Sequence, residues 1–483
     1  MKPSTEDLLD YILARLREGP RLAQDQIQRK GKKFKRRNAF FKLKKYADNF
    51  LEGNDENRFI IMPGLRGVGK TTLLFQIYDY LIDEKGIEQD RILYISADHL
   101  SEYLGGRIID AIDVFIDGVH QRTPVTLDEE LFIIIDEAQH DKEWSNAGKI
   151  LYDQSKKIFM IFTGSSALSL ELNVDAVRRS KKESIFPMNF SEYLLLKYDI
   201  YAPKGTSASI RKLIFTGDIE DASKKENELM RKMLRLTRPL EKEWENYLCC
   251  GGFPFGIHLD NYDIHEKTFN MLDRVIEKDV SLIRSFRSDT RSSIFRILMY
   301  LALQKAGETS EGKLANDIGI SSALVKDILS ILEKTHLIFH VKPYSGSAKT
   351  SVRKAWKYYF LSPSIKTSIN FQLGKYNSKK REFLGELAEN MVASYFFRIK
   401  GTMNMPHGIF YAPEKEGVDF LLSDITGEII PIEVGVGNKD KRQIKKAINK
   451  YNSKYGIVVS NKRKKITLED DVIHIPLTTF SFL

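Results

Sequence analysis

The chain of 483 residues has two cysteines, and they are adjacent: Cys249 and Cys250. Neighbouring thiols build no disulfide framework, and two are too few for a four-cysteine zinc site. Both read as apolar fillers, and their scarcity points to a reducing compartment. Proline (14) and glycine (30) are too sparse for collagen-like or linker-dominated sequence. No stretch approaches the ~18 uninterrupted apolar residues of a membrane span. The opening MKPSTEDLLDYILARLREG carries acids where a secretory signal needs an apolar run. These absences predict a cytoplasmic protein with no membrane partner. His99 and His140 lack metal-ligand spacing and read as locally bonded side chains.

Apolar residues make up 42% of the chain, with 28 Phe and 21 Tyr, enough to bury cores. At roughly 150 residues per domain the length predicts about three domains. Lys and Arg number 75 against 65 Asp and Glu, a net charge of +10. The excess has one address. Residues 29–45, RKGKKFKRRNAFFKLKK, hold ten cations and no acid. With Phe34, Phe40 and Phe41 interleaved, the run suits a phosphate backbone or a solvated helix face.

Residues 5–18 have helical periodicity and end at Gly19-Pro20. Apolar strands follow at 58–64, 92–98, 131–136 and 158–164, separated by helical patterns. That alternation predicts a parallel sheet covered on both faces. From about 190 to 285 the pattern is helical, and from 382 a second, smaller α/β unit appears.

Gly64-Leu65-Arg66-Gly67-Val68-Gly69-Lys70-Thr71 matches the phosphate-loop pattern between a strand and a helix, and Thr72 carries the helix on. These glycines let backbone N–H groups turn toward the phosphates of ATP, and the helix N-terminus adds its positive end. Lys70 is expected to reach the β- and γ-phosphates, and Thr71 to ligate Mg2+. The strand 131–136 delivers Asp136 to help hold Mg2+, with Glu137 next to polarise water.

GLRGVGKTTLL, IIIDEAQHDKEW, IFTGSSALSL, SIFPMNFSEYL and YLCCGGFP stand in that order. Together they resemble a prokaryotic family of AAA-type ATPases with a C-terminal domain of unknown function. Gln139 and Trp144, Pro187, Phe190, Glu192, Tyr193 and Leu194, and Gly251 to Pro254 carry the likeness. GELAEN (385–390), VDF (418–420) and IEV (432–434) extend it, so that it covers roughly residues 55–483. The resemblance implies ATP binding and hydrolysis without assigning a biological role. In the AAA arrangement Thr163 or Ser165, at the end of the fourth strand beside Ser166, senses the γ-phosphate; a plain strand-end turn is the alternative. Arg178 or Arg179 supplies an arginine finger, in cis or to a neighbouring subunit of a homo-oligomer, or is a surface arginine. Pro254 sits in a turn like that of nucleotide-switch ATPases, where a helical lid closes on the nucleotide; an ordinary helix–helix turn is the alternative.

Residues 313–338 have the helix-turn-helix pattern, with FHVKPYSG as a wing. Ser321, Ser322 and Lys326 would face a DNA groove, unless the module packs against protein. In the C-terminal unit Glu386 and Glu389 lie on a helix, Asp419 on one strand and Glu433 on the next. Asp419 and Glu433 match a restriction-endonuclease-like pair that would hold Mg2+. Gly435 replaces the lysine of that pattern, so Lys439, Lys445 or Gln443 would have to substitute, or the site is inactive. KRQIKKAINK (441–450) and KRKK (462–465) suit nucleic acid or a solvated face.

The predicted fold is α/β. It joins a P-loop AAA-type core (51–200) behind a basic helical segment (1–50) to a helical lid (201–288), a winged helix (289–345) and a nuclease-like domain (346–483). The predicted function is a Mg-ATP-hydrolysing ATPase coupled to nucleic acid, DNA foremost. A Mg-dependent nuclease regulated by ATP, or a slow nucleotide switch acting on protein partners, are the alternatives.

Overall fold

Gly19 and Pro20 read as a helix stop, because proline lacks the N–H that would serve the carbonyl of residue 16. In the computed structural model the helix instead runs on as Thr5–Ile27. The structure describes residues 3–165, 174–280, 288–305, 308–345, 355–377, 380–402, 408–423, 426–437 and 441–483. The Leu16 carbonyl that Pro20 cannot serve accepts from the Gln89 side chain. Gly19 admits Tyr78, whose hydroxyl a Cβ there would overlap. Ser4 and Asp7 close the N-terminal end as a capping box. Leu8, Ile12 and Leu16 turn into the core.

A ribbon of β1 (Gln28–Arg29) and β2 (Lys32–Lys33) and the helix Asn38–Leu51 come next. The predicted strands follow as β3 (Phe59–Pro63), β4 (Ile92–Ser96), β5 (Leu131–Asp136) and β6 (Ile158–Gly164). A short β7 (Lys181–Lys182), which offers no apolar signal, completes the sheet. All five are parallel, in the order β4-β5-β6-β3-β7. Phe59, Ile61, Ile133, Ile135 and Phe162 pack with Phe115 and Trp144 of the covering helices. Because β6 lies between β3 and β5, three C-terminal strand ends stand in a row.

These elements make one unit, Met1–Phe186; Pro187–Leu483 makes a second. The second opens with the helix Phe190–Tyr198. Asn189 Oδ1 accepts from the Glu192 N–H at 2.8 Å, and Glu192 accepts in return from the Asn189 N–H at 3.2 Å. Arg398 pairs with Glu192 at 3.3 Å, and the Tyr395 hydroxyl accepts from the Phe190 N–H at 2.8 Å. This docking on the helix Arg381–Thr402 starts the unit at Pro187 rather than at residue 201. Four more helices, Thr206–Thr216, Glu220–Met233, Leu240–Cys250 and Asn261–Arg274, follow.

The helices Ser288–Leu303, Glu311–Ile318 and Ser322–Lys334 come next, with β8 (Glu308–Thr309), β9 (Ile338–Pro343) and β10 (Trp356–Phe360). β10 is antiparallel to both β8 and β9. The other edge of β9 pairs in parallel with β11 (Gly408–Tyr411). The strand expected as a wing is thus built into a larger sheet, which bridges the boundary expected at residue 345. That sheet also holds β12 (Phe420–Ser423), β13 (Ile429–Gly435), β14 (Gly456–Ser460), β15 (Thr467–Glu469) and β16 (Val472–Pro476). Its nine strands run β15-β16-β14-β13-β12-β11-β9-β10-β8. Ile444 and Ala447 of the helix Lys441–Tyr451 pack on Leu421 and Val458. Among the described residues no helix is long and apolar enough to cross a membrane.

Candidate nucleotide site

The loop after β3 turns on Gly67 and Gly69, whose φ angles of 82° and 92° lie in the left-handed region. A side chain there would be strained, while glycine is free to turn the intervening N–H groups toward an anion. The helix Lys70–Asp83 begins at once and adds its N-terminal dipole, with Thr72 half-buried in its first turn. The Gly64 N–H ties the loop to β6 through the Gly164 carbonyl at 3.3 Å. Lys70 is buried, and its Nζ donates to the Gly64 carbonyl at 3.0 Å.

Thr71 Oγ1 donates to Asp136 Oδ2 at 2.6 Å. Thr163, at the end of the intervening β6, donates to the other Asp136 oxygen. Burial, and then the Glu137 charge, push the Asp136 carboxyl above its ordinary range; the two hydroxyls and Lys70 oppose them. Burial also pushes Glu137 up, but the Lys70 and Arg66 charges and a 2.5 Å bond from Gln139 outweigh it and hold Glu137 low. Adjacent acids driven in opposite directions suit different tasks. Glu137 has φ 51° and ψ 42°, a left-handed conformation costly for a non-glycine residue and typical of functional turns.

Ser165 is buried, and its hydroxyl has no partner among the described residues. Ser166 lies outside them. Left-handed glycines, a buried lysine, a helix N-terminus and this hydroxyl fit a nucleotide phosphate. Thr71 and Asp136 are a hydroxyl and a carboxylate of the oxygen type that would hold Mg2+. Among the described residues no group of three or more His, Cys, Asp or Glu is arranged for a metal.

Arg179, at the end of the helix Val174–Arg179, pairs with Asp153 at 2.5 Å, and Arg178 is exposed. Pro254 belongs to the second unit and starts the turn Pro254–Gly256; the Gly252 carbonyl before it accepts from the Met188 N–H at 2.8 Å. Cys249 and Cys250 are buried free thiols. His140 pairs with Glu102 at 3.2 Å, and His99 stacks on Tyr11 and Tyr103.

In the nine-stranded sheet, Phe420 pairs with Ile432, so that Asp419 and Glu433 are the next residues along from that pair. Asp419 Oδ2 accepts from the Val434 N–H at 2.7 Å, and Glu433 is buried. Glu386 pairs with Lys366 at 2.8 Å, and Glu389 accepts from the Tyr359 hydroxyl at 2.8 Å. Lys445 pairs with Asp470 at 3.0 Å, and Gln443 donates to the Gly417 carbonyl at 2.5 Å. Lys439 lies outside the described residues.

Several cations of the basic run bond within the first unit. Lys33 bonds Asp79 at 2.8 Å, Arg36 pairs with Glu84 at 2.6 Å, and Lys42 pairs with Glu183 at 3.1 Å. Phe40 is fully buried under Arg36, while Phe41 stays exposed. Arg37 is buried and donates to the Val68 carbonyl at 2.6 Å and the Phe186 carbonyl at 3.0 Å.

A family profile described as an AAA domain matches residues 56–194. Two domains of unknown function (DUF8612 and DUF4143) match 241–374 and 384–480. An uncharacterized protein of Methanocaldococcus jannaschii is 33% identical over 481 residues, 99% of this chain and 94% of that one. This chain belongs to that family of AAA-type ATPases. A Haemophilus influenzae relative is 23% identical over 338 residues, covering 68% of this chain and 73% of that one. Among solved structures, AMPPCP-bound DnaA from Aquifex aeolicus aligns at 14% identity over 62% of this chain and 90% of that one, with a TM-score of 0.25, too low to carry an argument.

The AAA match begins at residue 56 and so leaves out Arg37, which the sequence presents as one of ten cations in a run. Gln139 stands in the sequence only as a mark of the family; its bond to Glu137 is a tertiary fact.

Proposed function

We propose that this AAA-type protein binds Mg-ATP and hydrolyses it. The observation that carries the reading is the 2.6 Å bond from Thr71 to Asp136, which joins the phosphate loop to the acid-bearing strand end. When bound, Mg-ATP supplies the phosphoryl group that is passed to water. Lys70 and the loop N–H groups hold phosphate charge, and Thr71 and Asp136 hold the metal. Glu137, ionised and oriented by Gln139, accepts a proton from water. ATPase turnover of the wild type beside Lys70→Ala tests this. Turnover absent from both would refute it.

A second reading, coupling to DNA, rests on the helix Ser322–Lys334. Val325, Ile328, Leu329 and Leu332 are its buried face, while Ser322 and Lys326 are exposed, with Ser321 capping at 3.2 Å through the Leu324 N–H. A helix packed by one face in this way can present the other to a major groove. Stimulation of turnover by DNA, weakened by salt and by Lys326→Ala, supports the reading; a flat rate favours a switch with protein partners.

A further inference from the structure

We infer that Arg37 is a positioning residue of the phosphate loop, an inference that rests on the ATP reading above. The Arg37 side chain is 5% exposed and bridges two backbone carbonyls, Val68 at 2.6 Å and Phe186 at 3.0 Å. Val68 stands between the two left-handed glycines, Gly67 and Gly69. Its carbonyl and the Gly69 N–H belong to one planar trans peptide and point in opposite directions. A donor that holds the carbonyl from behind therefore aims the Gly69 N–H forward, to the side where phosphate binds. Flanking glycines would otherwise leave that peptide easy to rotate.

The second anchor fixes the donor itself. Phe186 follows Ile185, whose N–H donates to the Pro63 carbonyl at 2.8 Å, at the end of the strand that feeds the loop. Arg37 thus ties the middle of the loop to the frame at its entry. A planar guanidinium can serve two carbonyls at once, whereas a lysine ammonium on a flexible stem is a point charge that cannot reproduce the fork. Lys33 and Arg36 clip the same segment to Asp79 and Glu84, on and just beyond the loop's helix. Residues 33–37, on this account, support the nucleotide site.

The test uses the full chain and reads fluorescent-ATP binding together with kcat and KM for ATP. It compares wild type, Arg37→Ala, Arg37→Lys and, as a control from the same run, the exposed Lys45→Ala. Both Arg37 variants are expected to weaken nucleotide binding about 10- to 100-fold, with KM rising more than kcat falls. Added guanidinium should partly restore Arg37→Ala, and Lys45→Ala should stay within about twofold of wild type. Wild-type binding by Arg37→Ala overturns the inference and leaves the ATP reading standing. Misfolding of both Arg37 variants, unrecovered by guanidinium, also overturns it, because Arg37 is then a core strut. A wild type that binds no nucleotide overturns the ATP reading and this inference with it.

Discussion

Each unit presents a pair of acids at its sheet, and the two pairs are built differently. Asp136 and Glu137 are sequence neighbours at the end of a parallel strand. Two hydroxyls bond the first, and Lys70 and Arg66 charge the surroundings of the second. Asp419 stands just before β12 and Glu433 on its antiparallel neighbour β13; the backbone N–H of Val434 holds Asp419, and Gly435 occupies the position where the expected nuclease pattern has a lysine. The first pair lies in the field of nearby cations, and Asp419 of the second is bonded to the backbone of its own sheet. Two carboxylates make a reactive site only when the groups around them leave charge to be used.

The largest effect is expected at Glu137. Glu137→Gln should lower kcat about 1000-fold while nucleotide binding persists, because only proton transfer is removed. Equal losses in binding and turnover, read by equilibrium binding beside steady-state kinetics, would make Glu137 structural. Lys70→Ala should cost about 100-fold in kcat/KM through lost phosphate stabilisation.

Acidity should separate the two units next. Glu137 is held low, so its charged form is lost only as pH falls through a value below the ordinary range, and turnover per folded molecule should not decline on its account between pH 7 and 5. In the second unit burial pushes His265 down to about 4, between Cys250 and the Ser368 hydroxyl. The unfolded chain takes up that proton near pH 6.5, so stability present above 6.5 drains away as pH falls toward 4. The loss should reach about 2 kcal/mol at pH 5, read by denaturant melts, and His265→Leu should flatten the profile.

Asp419→Ala should have the smallest effect. It removes one bond to the Val434 N–H, about 1 kcal/mol of stability, and should leave ATP turnover within about twofold. Purified protein with Mg2+ should leave DNA uncut. Cleavage abolished by Asp419→Ala would erase the contrast between the pairs and make the second unit a nuclease.

Local pattern made the parallel core legible, since its strands are continuous apolar runs and its loop a spaced set of glycines. The fold was misread where a distant group supplies what the sequence lacks. Pro20 does not end its helix, because Gln89, 73 residues from Leu16, serves the orphaned carbonyl. The wing is not free, because β9 finds a second neighbour in β11. The net charge of residues 29–45 suggested an outward-facing run, yet several of its cations are answered by acids of the helix Lys70–Asp83 and beyond.

By itself the sequence determined the covered parallel sheet, the phosphate loop and the strand that carries Asp136, because periodicity and glycine spacing are properties of neighbouring residues. Only the tertiary structure decided that Thr71 and Thr163 share the Asp136 carboxylate, that Gln139 turns back on Glu137, and that Arg37 stands behind Val68. Those partners are separated in the chain or set by backbone conformation, and burial gives each bond its strength by removing competing water.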